Sequence, residues 1–258
     1  MTEYPELHHE RAGSAHAPLL FLHGGTVAGW SWEEQVEAFT DRQVVTPDLP
    51  GFGRRARDDW PGLHGAADIV AEQLATLGVA GPVDVVGLSF GGLVGLHVAA
   101  RHPGLVRTLL VSGPMLAPAG TAVRVAGRLQ LSAWNAPWFW KAQATAMGLP
   151  AEAREVFVRH GLTIRRETMH RIAAEIYPRG GLPANISRYT GPLLGLAGAR
   201  ESAYFRRSLR ALRQAVPQAE IRLAPRMHHI WSIEDTSLFN AVTGSWVEGR
   251  VDPRLLPL

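Results

Sequence analysis

Short apolar runs alternate with helical patterns along most of this chain, then the alternation stops, and later it resumes. Pro18 to Leu22, Gln43 to Thr46, Val83 to Leu88 and Val106 to Val111 read as buried strands, with Leu7 to Arg11 as a short first one. Helical patterns lie between them, at Trp32 to Phe39, Ala66 to Leu77 and Gly91 to His102. After Gly113-Pro114 the pattern is helical from 115 to 190, broken at Pro137, at Gly148 to Pro150, at His160-Gly161 and at Pro178. A strand at Leu193 to Ala197, a helix at Tyr204 to Val216, a strand at Glu220 to Leu223 and a helix at Ser237 to Val247 follow. Apolar strands separated by helices predict an α/β fold with a mostly parallel, doubly wound sheet. The interruption divides the chain into a core of residues 1–114 and 191–258 and an inserted helical cap of residues 115–190.

Composition narrows the chemistry. There is no cysteine, so disulfides, thiolate nucleophiles and cysteine metal sites are excluded. Twenty-five of the 26 basic residues are arginine, but the net charge is only +3 and no basic run exceeds two residues, which predicts no nucleic-acid partner. Residues 115–190 carry ten basic and four acidic side chains, so the cap is positive and the remainder slightly negative. No segment approaches the roughly 20 apolar residues of a membrane span, and residues 1–17 contain no apolar signal core. A cytoplasmic protein without a membrane partner is the expectation.

Gly87-Leu-Ser-Phe-Gly91 lies between a predicted strand and a predicted helix. A serine on such a turn holds its hydroxyl above the sheet edge, and the flanking positions must be small because a Cβ there would strike strand or helix backbone. Such a serine needs a neighbouring base, usually a histidine oriented by a carboxylate. His97 and His102 lie on the helix leaving the turn, and only His228 and His229 follow the last predicted strand. No aspartate lies between Asp84 and Asp235, so an acid placed between serine and histidine must be a glutamate. The backbone N–H of Phe90, next after the serine, and that of Gly25 in His23-Gly-Gly25 are the expected oxyanion donors.

These segments together resemble the α/β-hydrolase superfamily. The matches are Leu22-His-Gly-Gly25, Pro47-Asp-Leu-Pro-Gly-Phe-Gly53, Gly87-Leu-Ser-Phe-Gly-Gly92, Arg101-His-Pro103, the turn from Gly198 to Glu201, and His229 with Glu234. The resemblance implies an eight-stranded sheet with a helical cap after the sixth strand, the first strand being rudimentary or missing here. It further implies Ser89 as nucleophile, His229 rather than His228 as base, and Glu201 where the family places an aspartate. Ser89 in place of an aspartate nucleophile departs from dehalogenases and epoxide hydrolases of the fold.

The implied activity is hydrolysis of a small apolar ester, lactone or thioester through an acyl-enzyme, with neither metal nor organic cofactor. Carbon–carbon bond hydrolysis by the same triad and slow ligand sensing are the alternatives. Trp134, Trp138 and Trp140 in the cap, with Trp231 beyond His229, are the candidate substrate-contacting aromatics. The cap arginines, Arg165 and Arg166 among them, could attract an acidic, carrier-bound substrate. Nothing in the pattern specifies an oligomer.

Overall fold

The computed structural model describes residues 8–9, 15–79, 81–146, 149 and 151–258. Its strands are β1 His8–His9, β2 Leu19–Leu22, β3 Val44–Val45, β4 Val83–Leu88, β5 Val106–Ser112, β6 Leu193–Gly198, β7 Glu220–Ala224 and β8 Leu256–Pro257. Its α-helices are α1 Glu33–Ala38, α2 Gly62–Thr76, α3 Phe90–Arg101, α4 Thr121–Ser132, α5 Pro137–Ala146, α6 Ala151–Thr163, α7 Arg166–Arg179, α8 Ala203–Ala215, α9 Trp231–Glu234 and α10 Thr236–Val247. The strands form one sheet in the order β1-β3-β2-β4-β5-β6-β7-β8, parallel except for the two-residue strands at its edges.

Among the described residues a single short strand precedes β2, so the cap departs after the fifth strand rather than the sixth. The count of eight is completed instead by β8, where the chain end pairs antiparallel with β7. Of the expected first strand only His8 and His9 fall within the described residues, as does only Leu149 of the expected break from Gly148 to Pro150.

Both faces of the sheet are covered, which is why its strands read as continuous apolar runs. Alternate residues of β2 separate cleanly. Leu20 and Leu22 join a core with α2 and α3, and Leu19 and Phe21 join a second core with α1 and α10. Asp84, fully buried in β4, accepts hydrogen bonds from the Arg107 guanidinium at 2.5 Å and the Thr108 hydroxyl at 2.7 Å. Those partners explain how a carboxylate persists in an apolar strand.

The cap consists of α4 to α7, and its buried side chains are continuous with the α2–α3 core. Glu175 on α7 fastens it. One carboxylate oxygen accepts from Trp60 Nε1–H at 2.9 Å and the other from the Leu63 N–H at 2.9 Å. The second bond satisfies one of the orphan donors in the first turn of α2. Among the described residues, no helix is long and apolar enough to cross a membrane.

Candidate active site

Ser89 links β4 to α3 with φ +54° and ψ −110°, a conformation non-glycine residues rarely adopt and one that costs about 1–3 kcal/mol. The flanking glycines make the turn possible. A Cβ on Gly87 would lie 2.6 Å from Gly91 and Gly92 backbone, and one on Gly91 would lie 2.0 Å from the Leu22 carbonyl oxygen. The strained serine is therefore clamped between a strand and a helix that pass too closely for any other residue type.

The imidazole of His229 reaches the same sheet edge from the loop after β7. Register pairs Leu88 with Ser112, so the next residues, Ser89 and Gly113, leave adjacent strand ends side by side. A Cβ on Gly113 would lie 2.7 Å from His229 Cε1, so the imidazole rests directly on that glycine. Its Nδ1 lies 2.5 Å from Glu201 Oε1, and the other carboxylate oxygen of Glu201 accepts from the Gly198 N–H at 2.6 Å. The Glu201 side chain is 3% exposed and that of His229 34%, so the carboxylate is shielded while the ring stays reachable. The Phe205 ring packs 4.8 Å from the imidazole. His228 faces away. Its ring and its N–H both engage Glu234, at 2.8 Å and 2.7 Å.

Phe90 and Gly25, the expected oxyanion donors, lie close together. Phe90 opens α3, so its N–H belongs to the first turn, whose donors have no intrahelical acceptor. Its ring is held between Phe52 at 5.4 Å and Trp60 at 5.2 Å. A Cβ on Gly25 would lie 3.5 Å from Phe90 Cβ and 4.0 Å from Met169 Cε, which places the glycine loop beside Phe90 and beneath α7. Contacts of that length are ordinary, so glycine at 25 is not demanded by protein packing.

His23 braces this loop, a role its motif position alone did not reveal. Burial pushes its pKa down, against the opposing pull of Asp48, so the ring is neutral. Nδ1–H donates to the Gly24 carbonyl at 2.8 Å, and Nε2 accepts from the Leu49 N–H at 3.0 Å. Asp48 ties the neighbouring turn through the N–H groups of Gly29 and Arg54, at 2.8 Å and 2.9 Å.

The four tryptophans expected at the substrate fall in three different surroundings. Trp134 and Trp140 are buried in the cap's own interior, their rings 4.6 Å apart, donating to the carbonyls of Ile164 and Trp134. Trp138 points outward and is 66% exposed. Trp231 is fully buried in the α10-side core and donates to Ser112 Oγ at 2.8 Å. An indole N–H needs an acceptor when buried, and these three found theirs in the protein. Met169 lies by Gly25, Trp60 by the Phe90 ring and Phe205 by the His229 imidazole, and none stood out in the sequence because they are scattered over a loop and two helices. Of the arginines, Arg165 is tied to the Asp58 carbonyl and the Asp59 carboxylate, and Arg171 to Glu167.

This arrangement defines the class of protein. The chain belongs to the alpha/beta hydrolase family, whose sequence model matches residues 19–242. Among curated relatives it is 36% identical over 121 residues to Lipase LipV of Mycobacterium tuberculosis, covering 46% of each chain. It is 35% identical over 114 residues to 2-hydroxy-6-oxo-2,4-heptadienoate hydrolase of Pseudomonas putida, covering 42% of this chain and 40% of that one. These alignments span less than half the length of the relatives. The fold of the enol-lactonase from Burkholderia xenovorans LB400 superposes with a TM-score of 0.77 at 19% identity, over 93% of this chain and 94% of that one.

Proposed function

We propose that the protein is a serine hydrolase that cleaves a small apolar ester, lactone or thioester. The observation that carries this reading is the Glu201–His229 pair held against Gly113, on the strand end beside the strained Ser89. With Nδ1–H directed to Glu201, the imidazole presents Nε2 as the base. Ser89 Oγ adds to the carbonyl carbon as its proton passes to Nε2, and the carbonyl π electrons move to oxygen. The Phe90 and Gly25 N–H groups receive that oxyanion, an interaction worth about 3–4 kcal/mol per donor in comparable sites. Collapse expels the alcohol or thiol, which leaves with the proton from His229. Water then adds to the acyl-serine with the same base, and the acid departs as Ser89 is restored.

An apolar acyl group suits the surroundings, since Met169 and the Phe90 ring border the Gly25 loop and Phe205 covers the imidazole. The positive cap leaves a carrier-bound acyl group as a variant of the same reading. A second reading, hydrolysis of a carbon–carbon bond beside a ketone, draws on the likeness to the heptadienoate hydrolase.

The test is hydrolysis of p-nitrophenyl esters of increasing acyl length by wild type and Ser89→Ala, alongside a dienol-type diketone. Serine-dependent ester turnover with a short-to-medium chain optimum supports the first reading. Diketone turnover with little ester activity supports the second. Ester turnover that survives Ser89→Ala defeats both.

A further inference from the structure

Helix α4 is apolar on two opposite sides. Its inner side packs inward through buried Leu131 and through Gly127, where a Cβ would lie 2.6 Å from the Tyr177 hydroxyl. Its outer side presents Ala122, Val125, Ala126 and Leu129, all exposed, at the i, i+3, i+4, i+7 spacing of a single helical stripe. Leu129 is 67% exposed, and Trp138, in the first turn of α5, is 66% exposed. These are the two most exposed large apolar side chains among the described residues. Neither is placed there by the fold's own packing, because the interior of the cap is filled by Trp134, Phe139 and Trp140.

The charge carried by α4 and α5 has one sign. Arg128 flanks the stripe on α4, Arg124 lies toward the inner edge of the same helix and Lys141 follows Trp138 by one turn, all exposed, while residues 115–150 contain no aspartate or glutamate at all. Hydrogen bonds from Arg124 end on the Ala119 and Tyr177 carbonyls, so its charge is not neutralised. From this combination we infer that the α4–α5 face of the cap docks on an anionic lipid surface. Twelve residues make a helix about 18 Å long, too short to span a bilayer but long enough to lie in its interface. The outer side of a helix is convex, and a lipid interface accepts a convex apolar stripe without a matching groove. Tryptophan at the boundary and arginine or lysine at headgroup level are the side chains suited to that position. An acidic protein would have to supply both the complementary groove and the anions. The sequence carries no span and so suggests no membrane partner. Only the folded cap shows that the second apolar side of α4 is turned outward. Docking there is independent of the serine chemistry, although it would bring acyl substrates dissolved in lipid to the cap.

The test is flotation of the full-length protein with vesicles of mixed phosphatidylglycerol and phosphatidylcholine, and with vesicles of phosphatidylcholine alone, at low and high salt. Binding to the anionic vesicles, weakened by salt and at least roughly tenfold weaker in Leu129→Ser/Trp138→Ser, is expected. Ala126→Glu, which puts an anion in the centre of the stripe, should weaken it similarly while leaving the melting temperature in place. Quenching of fluorescence by brominated lipid should disappear in Trp138→Phe. Ser89→Ala should bind vesicles like wild type, so loss of hydrolysis and loss of docking report on different residues. No flotation with anionic vesicles at low salt, unchanged flotation of the double variant, or capture by an apo acyl carrier protein in preference to vesicles would each overturn the proposal.

Discussion

At the carboxyl ends of the strands, Ser89, Glu201 and His229 stand on backbone that leaves them little freedom. The inserted helices α4 to α7 carry an aromatic core that runs on into the α2–α3 core and is fastened as well at several polar points. The strand-end residues are fixed by steric exclusion at Gly87, Gly91 and Gly113 and by hydrogen bonds to Glu201 from two sides. The cap meets the core through Glu175, through the Arg165–Asp59 pair, and through the hydrogen bond from His97 to the Gly181 carbonyl. The difference separates chemistry from stability. Removing a group at the strand ends should destroy turnover with little effect on folding, while removing one from the cap should do the reverse on a short substrate.

The largest expected effect breaks the comparison if it fails. Ser89→Ala should lower kcat/KM for ester hydrolysis by about 10⁴-fold or more, the scale found when a nucleophile of this kind is removed. Its urea midpoint should stay close to wild type, and a large drop in that midpoint would mean the serine is structural. Trp140→Ala is the counterpart in the cap. Loss of a fully buried indole and its bond to Trp134 should cost about 3–5 kcal/mol of cap stability, read by differential scanning calorimetry as a lowered or separate transition. Turnover of a p-nitrophenyl acetate by whatever fraction remains folded should change far less than in Ser89→Ala.

An acid titration sharpens the picture of how cap and core are joined. His160 on α6 packs edge-on against Trp30 at 5.7 Å and faces His23, Asp48 and the Val27 backbone of the glycine loop. His97 on α3 faces His64, Arg101 and the Gly181 carbonyl at the cap's return. Burial pushes both down to about 4 from an ordinary value of 6.5. The unfolded chain therefore takes up these protons first as pH falls. Their contribution is complete above about pH 6.5, is lost progressively between 6.5 and 4, and changes no further below that. Each accounts for at most about 3 kcal/mol. His160→Leu should reduce the slope of stability against pH in that window, and an unchanged slope would remove His160 from the account.

The smallest effect concerns the Glu175 fastening. Glu175→Ala leaves the Trp60 indole N–H and the Leu63 N–H without their acceptor, a loss of about 1–3 kcal/mol. Because Trp60 also supports the Phe90 ring, KM for longer acyl chains should rise more than kcat falls. A change confined to kcat would place Glu175 in the chemistry instead.

The element order was legible because burial on both faces of a parallel sheet writes unbroken apolar runs into the chain, as in Val83 to Leu88. The glycines at 87 and 91 were legible for a similar reason, since close approach of strand and helix leaves only one residue type possible. The aromatic positions were not. An indole pattern on a cap helix looks the same whether it faces a substrate, the cap's interior or solvent, and Trp134, Trp140 and Trp138 divide between the last two.

By itself, then, the sequence determined the rhythm of the sheet, the place of the helical run, the turn at Ser89 and the short list of candidate bases and acids, all written in local spacing and residue size. The tertiary structure adds that Glu201 lies 2.5 Å from His229 while Glu234 holds His228. It also decided that Met169 rather than a tryptophan closes over Gly25 and that one apolar side of α4 faces outward. Those outcomes depend on contacts between residues far apart in the chain, and periodicity within a segment carries no information about which distant surface that segment will meet.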